Sequence, residues 1–514
     1  MKKILCLTLL ICLLLPAVIS CKKNNEQPSA DSTLGSDTAT TTTTPSGEGQ
    51  TDDPMNKYNV YDEIGNRDFG GRDIIIATSD YTNFIQEVKV DGYTGDIVND
   101  ALFTRNATVE RRLNCNIEQL TVSSGGLDTY KIGQYVVTQM QSGLHEYDLA
   151  LASTYSNIIR TVDNAWVDLR TCPNINFTKN YWSQLYNEQI SIGGSQYMVT
   201  GAASLSFYRE IYVTFMNETM LKNGIDAPDI FQVIKDGKWT IEYQKQLASK
   251  YYDDTNGNGK DEFDTFGFVV NSYDGVDPYW SSCEISMISK NASNLYELDL
   301  DRERLSNTAD LLIDLFTSEG AWADRSHKLE GFATEVFAQE RALMTTARLV
   351  SVEDVALREM TDTYLVLPVA RYSEDQDEYY SFLHDTFLSY AVPNTCPSEE
   401  DLDEITAFLE VLASESYRSV TPAYYEMALK AKYVSAPETV ELLDYITQHV
   451  YIDAGVVYNK MLFEMPMKIR DIVNEATTLG TGNTVSSTYN DIYVSNLSQC
   501  VKDINDRIQA LQFN

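Results

Sequence analysis

Asp73-Ile74-Ile75-Ile76-Ala77-Thr78 is an unbroken apolar, largely β-branched run that closes on polar Ser79-Asp80-Tyr81. A run of this length without polar alternation reads as a strand covered on both faces, as in a parallel sheet, with a loop at its carboxyl end. The next stretch keeps the same rhythm. Ile97, Ala101, Leu102, Val109 and Leu113 recur at helical spacing, Cys115 to Thr121 reads as a second strand, and 130–140 is again amphipathic. Tyr147-Asp148-Leu149-Ala150-Leu151-Ala152 is a third strand, ending at Ser153-Thr154-Tyr155. Alternating units of this size build a doubly wound α/β lobe. Ligands in such sheets sit beyond the carboxyl ends of the strands, which makes Asp80, Tyr81, Thr154 and Tyr155 candidate contacts.

Ahead of this lobe the chain changes character twice. Lys2 and Lys3 precede the apolar run Ile4 to Leu15, which is too short for a typical membrane span and fits a secretory signal over residues 1–20. Val18-Ile19-Ser20-Cys21 then resembles a bacterial lipobox, in which Cys21 is acylated and becomes the new N-terminus. The alternative is an ordinary signal with an incidental Cys. Two or more acyl chains, palmitate among them, would hold the protein on the outer face of the membrane, because one chain binds only reversibly. Residues 21–67, rich in Ser and Thr, read as a disordered tether, since almost nothing there can offset the entropy of ordering it.

The net charge of −36 repels phosphate backbones and anionic membrane surfaces, which excludes nucleic-acid binding. Once the signal and anchor are set aside, Cys115, Cys172, Cys283, Cys396 and Cys500 remain, with no CxxC pair. That pattern fits neither a disulfide scaffold nor a zinc site.

Further along, 196–201 and 211–217 read as strands around Ser206-Phe207-Tyr208-Arg209, and Lys238-Trp239-Thr240 leads into a helix with Thr240 as its cap. The ordered succession Asn99-Asp100-Ala101, Arg105-Asn106, Tyr147-Asp148-Leu149, Phe215-Met216-Asn217 and Lys238-Trp239-Thr240 continues in Phe337 to Met344, Leu365 to Pro368 and Ala423 to Glu426. Together these resemble the extracellular solute-binding proteins of ABC importers, and more narrowly the lipid-anchored family 1 branch of carbohydrate binders. The resemblance covers Asp68 to about Tyr458. It implies a periplasmic-binding-protein-like (type II) fold: two α/β lobes, each with a mainly parallel sheet flanked by helices, joined by a hinge. It also implies a monomer that clamps an oligosaccharide or other small polar solute and hands it to ABC permease subunits. The expected division places 68–204 and 320–366 in the first lobe, and 205–319 and 367–514 in the second. Glu340-Arg341 departs from the family's Gly or Gly-Lys, so no ligand contact is carried over from there.

Asp254-Thr255-Asn256-Gly257-Asn258-Gly259-Lys260-Asp261-Glu262-Phe263-Asp264 is the sharpest chemical motif. Oxygen ligands at positions 1, 3 and 5, Gly at 6 and a carbonyl at 7 match an EF-hand-type calcium loop. Asp254, Asn256, Asn258, Lys260, Glu262 and Asp264 are the expected ligands of a structural Ca2+, although Thr265 stands where the bidentate Glu belongs. An Asx/Gly turn without metal is the alternative. Tyr208 and Trp280 could stack on a sugar ring or pack in a core, and Arg348, past the strand 342–346, could reach a ligand or a surface carboxylate.

The four His residues are scattered, and GxSxG, HExxH, Walker A and GxGxxG are all missing. With 75 acidic residues, a carboxylate pair of the glycosidase type carries no information. The sequence therefore points to a non-enzymatic, cell-surface carbohydrate-binding lipoprotein. A lipid-anchored extracellular glycan hydrolase and a solute receptor uncoupled from transport are the alternatives.

Overall fold

The computed structural model describes residues 57–80, 87–122, 131–224, 226–271, 274–324, 331–430, 437–479 and 491–512. The signal, Cys21, Tyr81 and most of the expected tether lie outside these residues.

Eleven strands are described: β1 (Arg72–Ser79), β2 (Cys115–Val122), β3 (Leu149–Ser153), β4 (Tyr212–Asn217), β5 (Phe266–Asn271), β6 (Ile288–Lys290), β7 (Tyr296–Leu298), β8 (Ala321–Asp324), β9 (Ala342–Arg348), β10 (Tyr364–Leu367) and β11 (Leu388–Ala391). The first sheet has the order β11-β3-β1-β2 and the second β10-β4-β9-β5-β8. In the first, β1 runs parallel to β2 and β3 while β11 is antiparallel. In the second, β5 runs parallel to β8 and β9, and β4 is antiparallel to both of its neighbours. The odd strand of each sheet is the one that arrives from the other lobe. β4 follows the outward crossover and β11 the return, so each enters its sheet from the hinge side and runs against the rest. The two crossings pair with each other: Tyr212 N donates to Phe382 O at 3.0 Å and His384 N to Glu210 O at 3.0 Å.

Burial of β1 is as the sequence implies, with Ile74, Ile76 and Ala77 at the core. The following helix, Ile97–Leu113, starts because the Asp96 carboxylate accepts the Val98 and Asn99 N–H groups, and it stops at Asn114 in the left-handed region. Its face of Val98, Leu102, Val109 and Leu113 packs on the long helix Glu399–Lys430, which returns Ile405, Phe408, Leu409 and Leu412. Each such side chain contributes about 1.5–3 kcal/mol by leaving water.

Two expected boundaries are corrected. Residues 320–366 do not join the first lobe: they supply β8, β9 and β10 of the second sheet, where βαβ crossovers from β5 place them. Residues 388–391 in turn rejoin the first sheet as β11 rather than extending the second lobe. The tether also ends earlier than expected, because 57–67 is packed. Tyr58 is only 3% exposed, edge-on to Tyr417 and Tyr425, Asp62 pairs with Arg112 at 2.8 Å, and Arg67 pairs with Asp403 at 2.6 Å.

A short hairpin of β6 and β7 joins the second lobe to the 188–193 segment of the first. Gly193 N donates to Asn294 O at 2.7 Å, Lys290 Nζ to Ser191 Oγ at 2.7 Å, and the Tyr296 hydroxyl reaches Gln189 O and Ser191 O at 3.0 and 3.1 Å. The C-terminal helix Asp491–Gln512 holds the hairpin's edge: Asn505 accepts from Tyr296 N at 3.0 Å and donates to Tyr296 O at 2.7 Å.

Candidate functional site

The carboxyl ends of the parallel strands and the two hinge crossings meet in one group of polar side chains. Tyr155 comes from the end of β3. Because β4 is reversed, its first residue, Tyr212, lies at that end of the second sheet, paired in register with Arg348, the last residue of β9. Asp274 and Asp277 follow β5, and Glu210, His384, Asp385 and Thr386 belong to the crossings. Arg470 reaches in from the helix Lys468–Leu479.

Charges here are matched across elements. Arg348 Nη1 donates to Glu210 Oε2 at 2.8 Å, and Thr386 Oγ1 donates to the same oxygen at 2.8 Å. Arg470 binds Asp277 through two nitrogens, Nε to Oδ1 at 2.6 Å and Nη2 to Oδ2. Burial raises the Asp277 carboxyl above its ordinary range even though Arg470 opposes the shift. Burial alone would lower the Arg348 guanidinium, but Glu210 outweighs it and the net shift is upward.

Tyr155 and Tyr212 are each 3–4% exposed or less, and burial pushes both phenols well above their usual range, so both stay protonated. Each feels the charges of Asp277 and Arg470. Neither hydroxyl has a hydrogen-bond partner among the described residues. Leaving such a group buried and unsatisfied costs about 1–3 kcal/mol, a cost that a hydroxyl-bearing ligand would remove.

Of the expected contacts, the structure therefore joins Tyr155 and Arg348. Asp80 lies exposed past β1, its N–H on Val122 O at 3.3 Å, and Tyr81 is outside the described residues. Tyr208 belongs elsewhere. It is buried with its hydroxyl 2.8 Å from Thr421 Oγ1, and it helps line a cavity of about 260 Å³ with Tyr58, Trp182, Tyr417 and Tyr425. Trp280 is 2% exposed inside the second lobe, a packing position rather than a stacking platform. Sequence reading missed Tyr212, Asp277, Glu210, His384 and Arg470. The strand-end rule would have found Tyr212 had the reversal of β4 been legible.

The 254–264 loop closes on its own hydrogen bonds. Asp254 accepts from Gly257 N at 2.7 Å and Gly259 N at 2.9 Å, and Asn256 Oδ1 accepts from Asn258 N at 3.0 Å. The Asn256 and Asn258 amides donate to Asp261, Lys260 Nζ reaches Ser318 O at 2.8 Å, and the backbone carbonyls of Glu262 and Asp264 accept from Arg341. The Asp264 carboxylate takes Asp261 N at 3.0 Å and the Tyr252 hydroxyl at 3.1 Å. Among the described residues no group of three or more His, Cys, Asp or Glu side chains is placed to hold a metal ion. No helix among them is long and apolar enough to cross a membrane.

No family model and no curated protein sequence matches the chain. Solved structures do. The maltose/maltodextrin-binding domain MalE of Bdellovibrio bacteriovorus, bound to maltotriose, superposes with a TM-score of 0.51 at 12% identity, over 84% of this chain and 99% of that one. The GacH receptor of Streptomyces glaucescens, solved unliganded and with acarbose, gives 0.50 at 12%, over 85% and 99%. A family 1 extracellular solute-binding protein from Bifidobacterium longum subsp. infantis gives 0.50 at 12%, over 84% and 100%. The chain thus has the two-lobed, MalE-like fold of solute-binding proteins, with mixed α/β lobes as the sequence led one to expect.

Proposed function

We propose that this protein is a cell-surface binding protein that takes an oligosaccharide between its lobes and delivers it to an ABC permease. One observation carries the reading above all: two buried phenol hydroxyls without partners, one from each lobe, meet a paired Asp277 and Arg470 at the hinge of this fold. Phenol walls with a few fixed polar groups suit a polyhydroxylated ring. Closure about the crossings would bring both lobes onto the solute. Cys21 would carry the lipid anchor, and Ca2+ at 254–264 would act as a weak staple of the loop.

The hydrolase reading is less well supported. Glu210 and Asp277 are each engaged by an arginine. His384 Nδ1 accepts the Thr386 N–H at 3.3 Å within one turn, an arrangement unlike a nucleophile and its base. The test is a thermal-shift screen over oligosaccharides followed by calorimetry, with product analysis of the bound sugar. A ligand that raises Tm and is recovered intact supports the reading, because binding stabilises the folded state by mass action. Cleavage of the sugar, or no shift with any oligosaccharide, overturns it. Labelled-palmitate incorporation that Cys21→Ser abolishes would support the anchor.

A further inference from the structure

The charge balance of the interlobe group narrows the class of sugar. Both arginines are already spent. Arg348 is held by Glu210 and Arg470 by both oxygens of Asp277. Two more carboxylates stand beside them with no salt bridge to a lysine or arginine among the described residues. Asp274 acts on Tyr212, Arg348 and Asp277, and Asp385 acts on Tyr155. The one other basic group, His384, lies 3.2 Å from Asp385 through the same Nδ1 that accepts the Thr386 N–H.

The group therefore sets four carboxylates against two guanidiniums and one imidazole, around two buried hydroxyls that have no partner among the described residues. The chain as a whole carries −36, which strengthens the same sign of field. A uronate or phosphorylated sugar would add a further negative charge to this surplus. A neutral sugar would satisfy the phenols and leave the surplus standing. A sugar with a free amine would do both.

Resting on the reading of this group as a saccharide site, we propose that its preferred ligand is an amino sugar, an oligosaccharide with at least one unacetylated amine whose ammonium offsets Asp274 and Asp385. The hydroxyls of the same ring system would pair with Tyr155 and Tyr212. The preference is electrostatic, so it weakens with salt and disappears when the amine loses its proton.

The test is calorimetry on the full folded domain with glucosamine oligomers, their N-acetylated counterparts and galacturonate oligomers of equal length, from pH 6 to 9. At pH 6 the free amine should bind at least tenfold tighter than the acetylated form, and the uronate weakest. The amine's advantage should fall towards unity by pH 9. Glu210, Asp274, Asp277, His384, Asp385, Arg348 and Arg470 all face this site, and the acetylated oligomer measured over the same range corrects for their own titration. In Asp274→Asn/Asp385→Asn, shown folded by its melting curve, the ratio of the two affinities should drop to within about twofold. Equal binding of amine and acetylated forms at pH 6, or a tighter uronate, overturns the proposal while leaving the saccharide reading intact. Failure of every sugar to bind overturns both.

Discussion

Around Arg105 every guanidinium nitrogen has a partner, whereas among the described residues the hydroxyls of Tyr155 and Tyr212 have none, although all three side chains are buried. Arg105 donates to Asn106 Oδ1 at 2.8 Å, to Ser416 Oγ at 3.2 Å and to Glu87 O at 2.6 Å. The Glu87 carboxylate accepts from Ser204 Oγ at 3.0 Å and from Leu205 N. That network ties the helix Ile97–Leu113, the long helix and the outward crossover into one rigid body, and nothing in it is left for a ligand. The hinge group is built of the same chemistry and is left incomplete. A satisfied polar network holds geometry; an incomplete one is where a partner adds the missing bonds.

The contrast can be broken most easily at Arg105. Arg105→Met leaves Asn106 Oδ1, Ser416 Oγ and the Glu87 carbonyl without this donor and removes one of the two positive charges that oppose burial of the Glu87 carboxylate, and it should cost about 1–3 kcal/mol in urea denaturation. A loss below about 1 kcal/mol would mean that the network is not what holds this body together.

Asp453 supplies an intermediate case: fully buried, with no cation paired to it among the described residues, yet hydrogen-bonded by Met287 N at 2.8 Å and Gly455 N at 3.0 Å. Burial outweighs those donors and pushes its carboxyl up to about 6. The folded state then holds the proton more tightly than the unfolded chain, so this group favours folding most below pH 4 and loses that contribution as pH rises through 6. Asp453→Asn should flatten stability between pH 4 and 7, by up to about 3 kcal/mol, in denaturant melts at stepped pH. An unchanged slope would place the titration elsewhere.

Tyr155→Phe and Tyr212→Phe each remove an unsatisfied buried hydroxyl, so each should leave stability unchanged or raise it by up to about 1–3 kcal/mol, while weakening ligand binding by about five- to tenfold in calorimetry. A stability loss as large as that of Arg105→Met would show these hydroxyls to be structural and would erase the distinction. The smallest effect is expected at the 254–264 loop. Millimolar Ca2+ should raise Tm by roughly one to three degrees, and Asp254→Ala should remove the rise. No rise, or the same rise with Mg2+, would leave the loop a plain Asx/Gly turn.

Much of the fold was legible because its signals are local. β1, β2, β3 and the helix Ile97–Leu113 announce themselves by unbroken or 3.6-spaced apolar residues. Partner choice was not local: nothing within 320–366 says that β8 to β10 pair with β5 and β4 instead of β3. Tyr58 was lost in a tether of Ser and Thr because its partners, Tyr417 and Tyr425, lie far along the chain. At the site, the strand-end rule found Tyr155 and Arg348. It failed at Tyr212 because β4 runs backwards, and at Arg470 because only the folded chain brings it to Asp277. Tyr208 and Trp280 show the converse: an aromatic ring offers the same face to a sugar or to a core, and sequence does not say which.

The hairpin that clasps Gln189, Ser191 and Gly193 has a mechanical consequence. Jaws stitched along one margin cannot yawn symmetrically; they swing about the stitches, so the gap widens on the far flank. On the proposed function a solute would enter and leave by that flank, and any such swing works against the few bonds through Lys290, Asn294 and Tyr296.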